Sequence, residues 1–259
     1  MSNYRKICEQ AARAAGKLLL EMQNHMLGRE KGPNDLVSEA DLAAQETIRT
    51  ILLGAFPEHG FLGEEDAPSE RLSLAASPEF CWVVDPLDGT TNYLHRLQTF
   101  AVSIALLQRG KLLCGTVFDP VANEFYWAER GAGAWLNDQR LQVSDCQHAA
   151  KALVAASLAP HVPRGSKEVD RFMEAIHRCQ GVRRLGSAAL NLSYVAAGRL
   201  DAYWATSVKI WDVAAGLLLV EEAGGTVCDI HGKTLNLEKP ELLASSSLSL
   251  SEELLEMLK

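Results

Sequence analysis

The chain has 259 residues, 25 of them basic and 33 acidic, for a net charge of −8, with 47% apolar and 22% charged residues. Such a length buries a substantial core without disulfide or metal staples, and such a composition excludes a disordered, collagen-like or coiled-coil chain. The acidic balance offers no general attraction to nucleic-acid backbones or anionic membranes, and a phosphorylated small molecule would need a local positive charge, such as a divalent cation, to approach it.

Ile7, Ala11, Ala14, Leu18 and Met22 recur at helical steps and predict an opening helix with one buried face. Arg5, Lys6, Glu9, Arg13 and Lys17 interrupt that stretch as no signal-peptide core would allow, and no apolar run reaches bilayer length. The expected compartment is the cytoplasm. Ser38 followed by Asp41 has the form of a capping box, and Ala44, Ile48, Ile51 and Leu52 supply a second helical stripe that Pro57 closes. Residues 81–84 read as a buried strand stopped by Asp85-Pro86. Stretches 100–107, 112–118 and 124–129, separated by Gly110 and by Asp119-Pro120, predict an antiparallel meander.

After about Ser144 the pattern alternates. Strands are predicted at 153–156, 182–185, 202–204 and 226–230, and helices at 169–179, 187–197 and 212–223, with Gly198 and Gly224-Gly225 as C-terminal stops. No repeat or flexible linker divides the chain, so two halves, 1–144 and 145–259, are expected to pack as one unit. The six cysteines are dispersed without a C-x-x-C pair, which suggests neither a zinc site nor a disulfide framework.

Carboxylates concentrate in three segments: Gly63-Glu64-Glu65, Asp85-Pro86-Leu87-Asp88-Gly89-Thr90-Thr91 and Trp211-Asp212. None contains His or Cys, and hard oxygen donors favour magnesium, manganese or calcium over zinc, copper or iron. A tight turn at Asp88-Gly89 would let Asp85 and Asp88 converge, and the Gly89 and Thr90 amides would face a phosphate if a helix begins there. Singly, each segment has an ordinary reading: a hairpin turn, a solvated loop, and Asp212 as the N-cap of its own helix. An aspartate shortly before Asp-Gly-Thr is also similar to the haloacid-dehalogenase phosphatases, where the first aspartate is the nucleophile. In that pattern a single residue separates the two aspartates, and it lies near the start of a Rossmann-like domain.

Taken together, Phe61-Leu62-Gly63-Glu64-Glu65, the run from Trp82 through Asp85-Pro86-Leu87-Asp88-Gly89-Thr90-Thr91 to Tyr93, and Trp211-Asp212-Val213-Ala214-Ala215-Gly216 resemble the inositol monophosphatases, of the lithium-sensitive, magnesium-dependent phosphatase superfamily. The resemblance extends through Asp35-Leu36-Val37-Ser38, Gly186-Ser187-Ala188-Ala189 and 221–225, so it spans nearly the whole chain.

This resemblance implies a layered αβαβα sandwich, as in inositol monophosphatase and fructose-1,6-bisphosphatase, with an α+β half carrying most metal ligands, an α/β half carrying the substrate loop and Asp212, and a homodimer. It implies two or three Mg2+ ions, for which Mn2+ can substitute. Glu64, Asp85 and the Leu87 carbonyl would hold the first, Asp85, Asp88 and Asp212 the second, and Glu65 would help place a third. Glu64 and the Thr90 hydroxyl, with Asp41 behind it, would orient or deprotonate a water that attacks phosphorus directly. Asp88, Gly89, Thr90, Gly186, Ser187, Ala188 and Asp212 would contact substrate. The implied reaction is hydrolysis of inositol 1-phosphate. Histidinol phosphate, fructose 1,6-bisphosphate, NADP and 3′-phosphoadenosine nucleotides are the alternatives, and a non-catalytic, partner-binding protein is the alternative of another class. One departure bears on the substrate: Ala205 stands where many family members have a glutamate that binds substrate hydroxyls, and Lys209 is the nearest basic candidate in sequence for a polar or anionic leaving group.

Overall fold

Apolar periodicity sets the first layer. The structure, a computed structural model, describes residues 3–23, 29–32, 35–37, 39–67, 78–159 and 161–259. α1 (Asn3–Met22) buries Cys8, Ala11, Ala12, Ala15 and Leu19, and α2 (Glu39–Ala55) buries Ala40, Ala44, Ile48 and Leu52. The two pack together against a sheet, with a short antiparallel pair, β1 (Arg29–Gly32) and β2 (Asp35–Val37), between them in the chain. The expected capping box begins at Ser38, which lies outside the described residues.

The sheet has seven strands in chain order: β3 (Gly60–Gly63), β4 (Phe80–Asp88), β5 (Ala101–Gln108), β6 (Lys111–Asp119), β7 (Glu124–Glu129), β8 (Gly133–Leu136) and β9 (Gln139–Arg140). β3 runs parallel to β4, and the other neighbouring pairs are antiparallel. β4 does not stop at Asp85-Pro86 as expected. It continues to Asp88, with a register shift against β5 between Asp85 and Asp88. An irregularity in the ladder is where a proline, which lacks an N–H, fits within a strand. A short helix, α3 (Thr90–Leu94), follows.

A second sheet contains β10 (Leu153–Ser157), β11 (Gly181–Arg183), β12 (Ala202–Ala205), β13 (Thr226–Asp229) and β14 (Leu242–Ser245), in the spatial order β11-β10-β12-β14-β13. β10 is parallel to β11 and β12, and β14 is antiparallel to both of its neighbours. Its helices are α4 (Lys167–Arg178), α5 (Ala188–Ala196), α6 (Ile210–Glu222) and α7 (Leu248–Met257).

Side-chain alternation along the strands assigns the layers. In β5, Val102, Ile104 and Leu106 join the α1–α2 core, whereas Ala101, Ala105 and Leu107 join the core containing α5 and α6. In β12, Tyr203 and Ala205 face that same middle core, and Ala202 and Trp204 pack with α7 and Ala175 of α4. The result is the layered αβαβα sandwich. α6 is buried from Val213 to Val220, as expected of a helix apolar on all sides. Glycine permits this depth: a Cβ on Gly216 would lie 2.5 Å from the Leu192 Cβ of α5. No helix among the described residues is long and apolar enough to cross a membrane.

Candidate active site

Glu64 follows β3, Asp85 and Asp88 belong to β4, and Asp212 is the third residue of α6. Three local networks fix them. The Glu64 N–H donates to the Val84 carbonyl (3.0 Å) and the Glu65 N–H to Gln45 Oε1 (3.0 Å), while Gln45 Nε2 and the Gly63 N–H donate to the Asp66 carboxylate (2.9 Å each). Within β4 the Leu87 N–H donates to Asp85 Oδ1 (2.9 Å). In α6, Asp212 is not the N-cap its sequence position suggests. Lys209 is the N-cap, and its N–H donates to Asp212 Oδ2 (2.8 Å). The Ser103 hydroxyl donates to the Trp211 carbonyl (3.1 Å), pinning that end of α6 to β5.

Ligand oxygens of Glu64, Asp85 and Asp212 lie within 4.8 Å of one another. Burial and mutual repulsion hold the carboxyls of Glu64, Asp85 and Asp212 above their ordinary range. Glu64 is pushed up to about 8 by burial and by the charges of Asp212, Glu65 and Asp41, and Asp85 is raised strongly by burial and by Glu64 and Asp88. Asp212 rises to about 7 through burial and the charge of Asp88. This set fits a divalent cation. Three carboxylates, Asp85 buried and Glu64 and Asp212 half-buried, cannot all ionise so close together without a counter-charge, the donors are all oxygen, and bonds of ~2.1 Å span opposite ligand oxygens ~4.2 Å apart.

Two expected site residues have further partners. Asp88, the expected partner of Asp85 and Asp212 at a second metal, lies close enough to both to raise their proton affinity. Its carboxylate also accepts from the start of α5: from the Ser187 hydroxyl, the Ala188 N–H (3.2 Å) and the Ala189 N–H (2.8 Å). Those donors offset part of the burial effect, leaving Asp88 at about 6. Ser187, expected to touch substrate, is fully buried, and its oxygen also accepts from the Leu190 N–H (3.1 Å) as the N-cap of α5. The Thr90 hydroxyl, expected to work with Asp41, donates to the Leu87 carbonyl (3.0 Å), because the first turn after Gly89 brings it over that group. Asp41, buried on α2, contributes through its charge on Glu64 and Asp85.

Gly89 takes φ +98°, and a Cβ there would lie 2.9 Å from the Thr99 carbonyl oxygen and 3.3 Å from that of Gly186, so the turn that starts α3 accepts only glycine without strain. The adjoining cavity, about 580 Å³, is lined by Asp88, Asp212, Gly186 and Ala188 together with Thr91 and Asn92, which the motif contains but which were given no role, and with Ser157 and Arg184, which the sequence did not single out. Asn92 ties its two walls together, its Nδ2 donating to the Thr99 and Leu185 carbonyls (2.7 Å each). Its place directly after Thr90-Thr91 was the one available sequence signal. Lys209 is not among the lining residues, and among the described residues the cation lining the cavity is Arg184. Ala205 is fully buried at the end of β12.

Carboxylates that gather beside a cavity where the two sheets of a layered sandwich meet suit a phosphatase of the α/β-sandwich class. Comparison with known proteins agrees. The chain belongs to the inositol monophosphatase family, whose family model matches residues 1–259. It is 42% identical over 245 residues to an inositol-1-monophosphatase of Mesorhizobium japonicum, covering 92% of this chain and 90% of that protein. It is 41% identical over 251 residues to the Nus factor SuhB of Pseudomonas aeruginosa, covering 93% and 90%. The crystal structure of the extragenic suppressor protein suhB from Bartonella henselae superposes with a TM-score of 0.92 at 38% identity, covering 100% of this chain and 99% of that one.

Proposed function

We propose that this chain is a magnesium-dependent phosphomonoesterase that hydrolyses inositol 1-phosphate and related small esters by direct attack of water. The observation that carries this reading is the convergence of Glu64, Asp85 and Asp212 within 4.8 Å. Bound Mg2+ would supply charge neutralisation for these carboxylates and a lowered pKa for water. The chain's own groups do the rest. Glu64, its carboxyl kept ionised by a cation bound beside Asp85 and Asp212, would take a proton from the attacking water. Thr90, braced on the Leu87 carbonyl, helps to orient it. The Gly89 and Thr90 amides begin α3, where N–H groups lack intrahelical acceptors and suit phosphate oxygens. Asp88, held by the start of α5, joins this machinery through Asp212, whose proton affinity it raises. Glu65 lies beside Glu64 and suits a further cation.

The test is phosphate release from inositol 1-phosphate, histidinol phosphate and NADP with and without Mg2+. Metal-dependent release from inositol 1-phosphate is expected, together with inhibition by millimolar lithium and a dimeric mass in solution. The 41% identity to a Nus factor favours one second reading, a cytoplasmic partner-binding protein that retains the carboxylate site. Failure to release phosphate from any of these esters would favour that reading.

A further inference from the structure

A second cavity lies at the far end of α6 from the carboxylates. It has a volume of about 620 Å³ and shares no lining residue with the cavity beside Asp88 and Asp212. α6 links the two: Asp212 stands in its first turn, and Glu221, nine residues on and so about 13 Å away along the helix, lines the second cavity. The floor is apolar. Leu112 of β6 and Leu217 of α6 are buried there, and Val227, Leu235 and Leu237 pack against the same middle core.

The rim is cationic, in a chain of net charge −8. Lys111 at the start of β6, Arg130 after β7 and Lys233 after β13 all line it, and all three are exposed. The lining contains one carboxylate, that of Glu221, to which Arg130 Nη1 donates (2.6 Å). Asp229 does not line the cavity, and its Oδ1 accepts from the N–H groups of His231 (2.8 Å) and Lys233 (2.7 Å). Lys111 and Lys233 make no ion pair among the described residues, so the rim keeps a surplus of positive charge. A concave apolar floor under convergent cations suits one kind of guest: an apolar body withdrawn from water, with an anionic head that accepts from the ammonium groups. We propose, independently of the phosphatase reading, that this cavity is a second ligand site for a small organic anion. Its apolar body would cover the leucine floor, and its carboxylate, sulfonate or phosphate head would pair with Lys111 and Lys233.

Fluorescence titration of the full chain with 1-anilinonaphthalene-8-sulfonate, in the presence of Mg2+, tests this against two partial mimics. N-phenyl-1-naphthylamine has the same rings without the charge, and inorganic sulfate has the charge without the rings. The sulfonate should bind at one site per chain, at least about fivefold more tightly than the uncharged amine, the scale of one partly exposed ion pair. Sulfate should compete only weakly. Replacing both exposed lysines, Lys111→Ala with Lys233→Ala, should weaken the sulfonate about tenfold and leave the amine unchanged, whereas Arg184→Ala, in the cavity beside Asp212, should change neither. No sulfonate binding, equal affinity for sulfonate and amine, sulfonate binding unchanged in the double-lysine variant, or its loss in Arg184→Ala would each overturn the proposal, whether or not any ester is hydrolysed.

Discussion

Replacing Ser187 with alanine removes one oxygen that carries two bonds, the cap on the Leu190 N–H and the hydroxyl bond to Asp88. Loss of a serine N-cap costs about 0.5–2 kcal/mol. A hydrogen bond to a charged group contributes about 1.5–3 kcal/mol. Because Ser187 is fully buried, water does not take the hydroxyl's place, and the combined loss should be about 2–5 kcal/mol. In urea unfolding, with a slope of about 3 kcal/mol per molar, the midpoint should fall by about 1 M. Turnover should fall as well, by roughly tenfold, because Asp88 loses the donor that fixes its orientation. A serine acting only as a substrate contact would raise KM and leave the urea midpoint alone. A midpoint shift below about 0.2 M would therefore refute the bracing role, and Ser187→Thr, which restores the hydroxyl, should recover most of the loss if the role is correct.

Asp88→Asn should lower kcat by at least about 100-fold while retaining the fold, and near-native kinetics in steady-state assays would remove Asp88 from the site. In the metal-free protein, Glu64, Asp212 and Asp88 have folded-state values of about 8, 7 and 6, above their ordinary ones. Their protons are thus held more tightly when folded, so this contribution to stability is full below about pH 4 and is lost as pH rises through the 6–8 window. Thermal unfolding in chelator should accordingly show Tm falling between about pH 5 and 8.5, with added Mg2+ raising it most at the alkaline end; a flat chelator profile would contradict this. Gly216→Ala places a Cβ 2.5 Å from the Leu192 Cβ, and overpacking of about 1–3 kcal/mol should outweigh a helix-propensity gain of about 1 kcal/mol. A Tm lower by about 2–4 °C is expected by calorimetry, and an increase would mean that α5 and α6 can separate at little cost.

Elements with strong local signals were legible in the sequence. The apolar periodicity of α1, and the alternating runs of β5, β6 and β7 set off by Gly110 and Asp119-Pro120, correspond to the observed elements within a residue or a few. β3, β8 and β9 were not, because two to four residues, with glycine among those of β3 and β8, carry no periodicity and become strands only by pairing with a neighbour. The run 81–84 signalled a strand but not its length, since Pro86 reads locally as a stop and β5 supplies the ladder that carries β4 past it.

At the site, residue type alone carried the chemistry. Oxygen-only donors at Glu64, Asp85, Asp88 and Asp212, a glycine at the turn before Thr90, and an alanine at 205 are facts of composition that no folding changes. Tertiary structure decided which of them meet. Glu64, Asp85 and Asp212 converge because α6 is laid against the first sheet with its N-terminus at the end of β4, whereas Asp88 is drawn to the N-H groups of α5, a helix nearly 100 residues further on. The same layering turns Arg184 rather than Lys209 towards the cavity and sets Ser157 beside Ala205, across a strand pairing that joins residues 48 apart. Residue type fixes what a group can donate or accept, but distance between groups is set by packing, and packing depends on the whole chain.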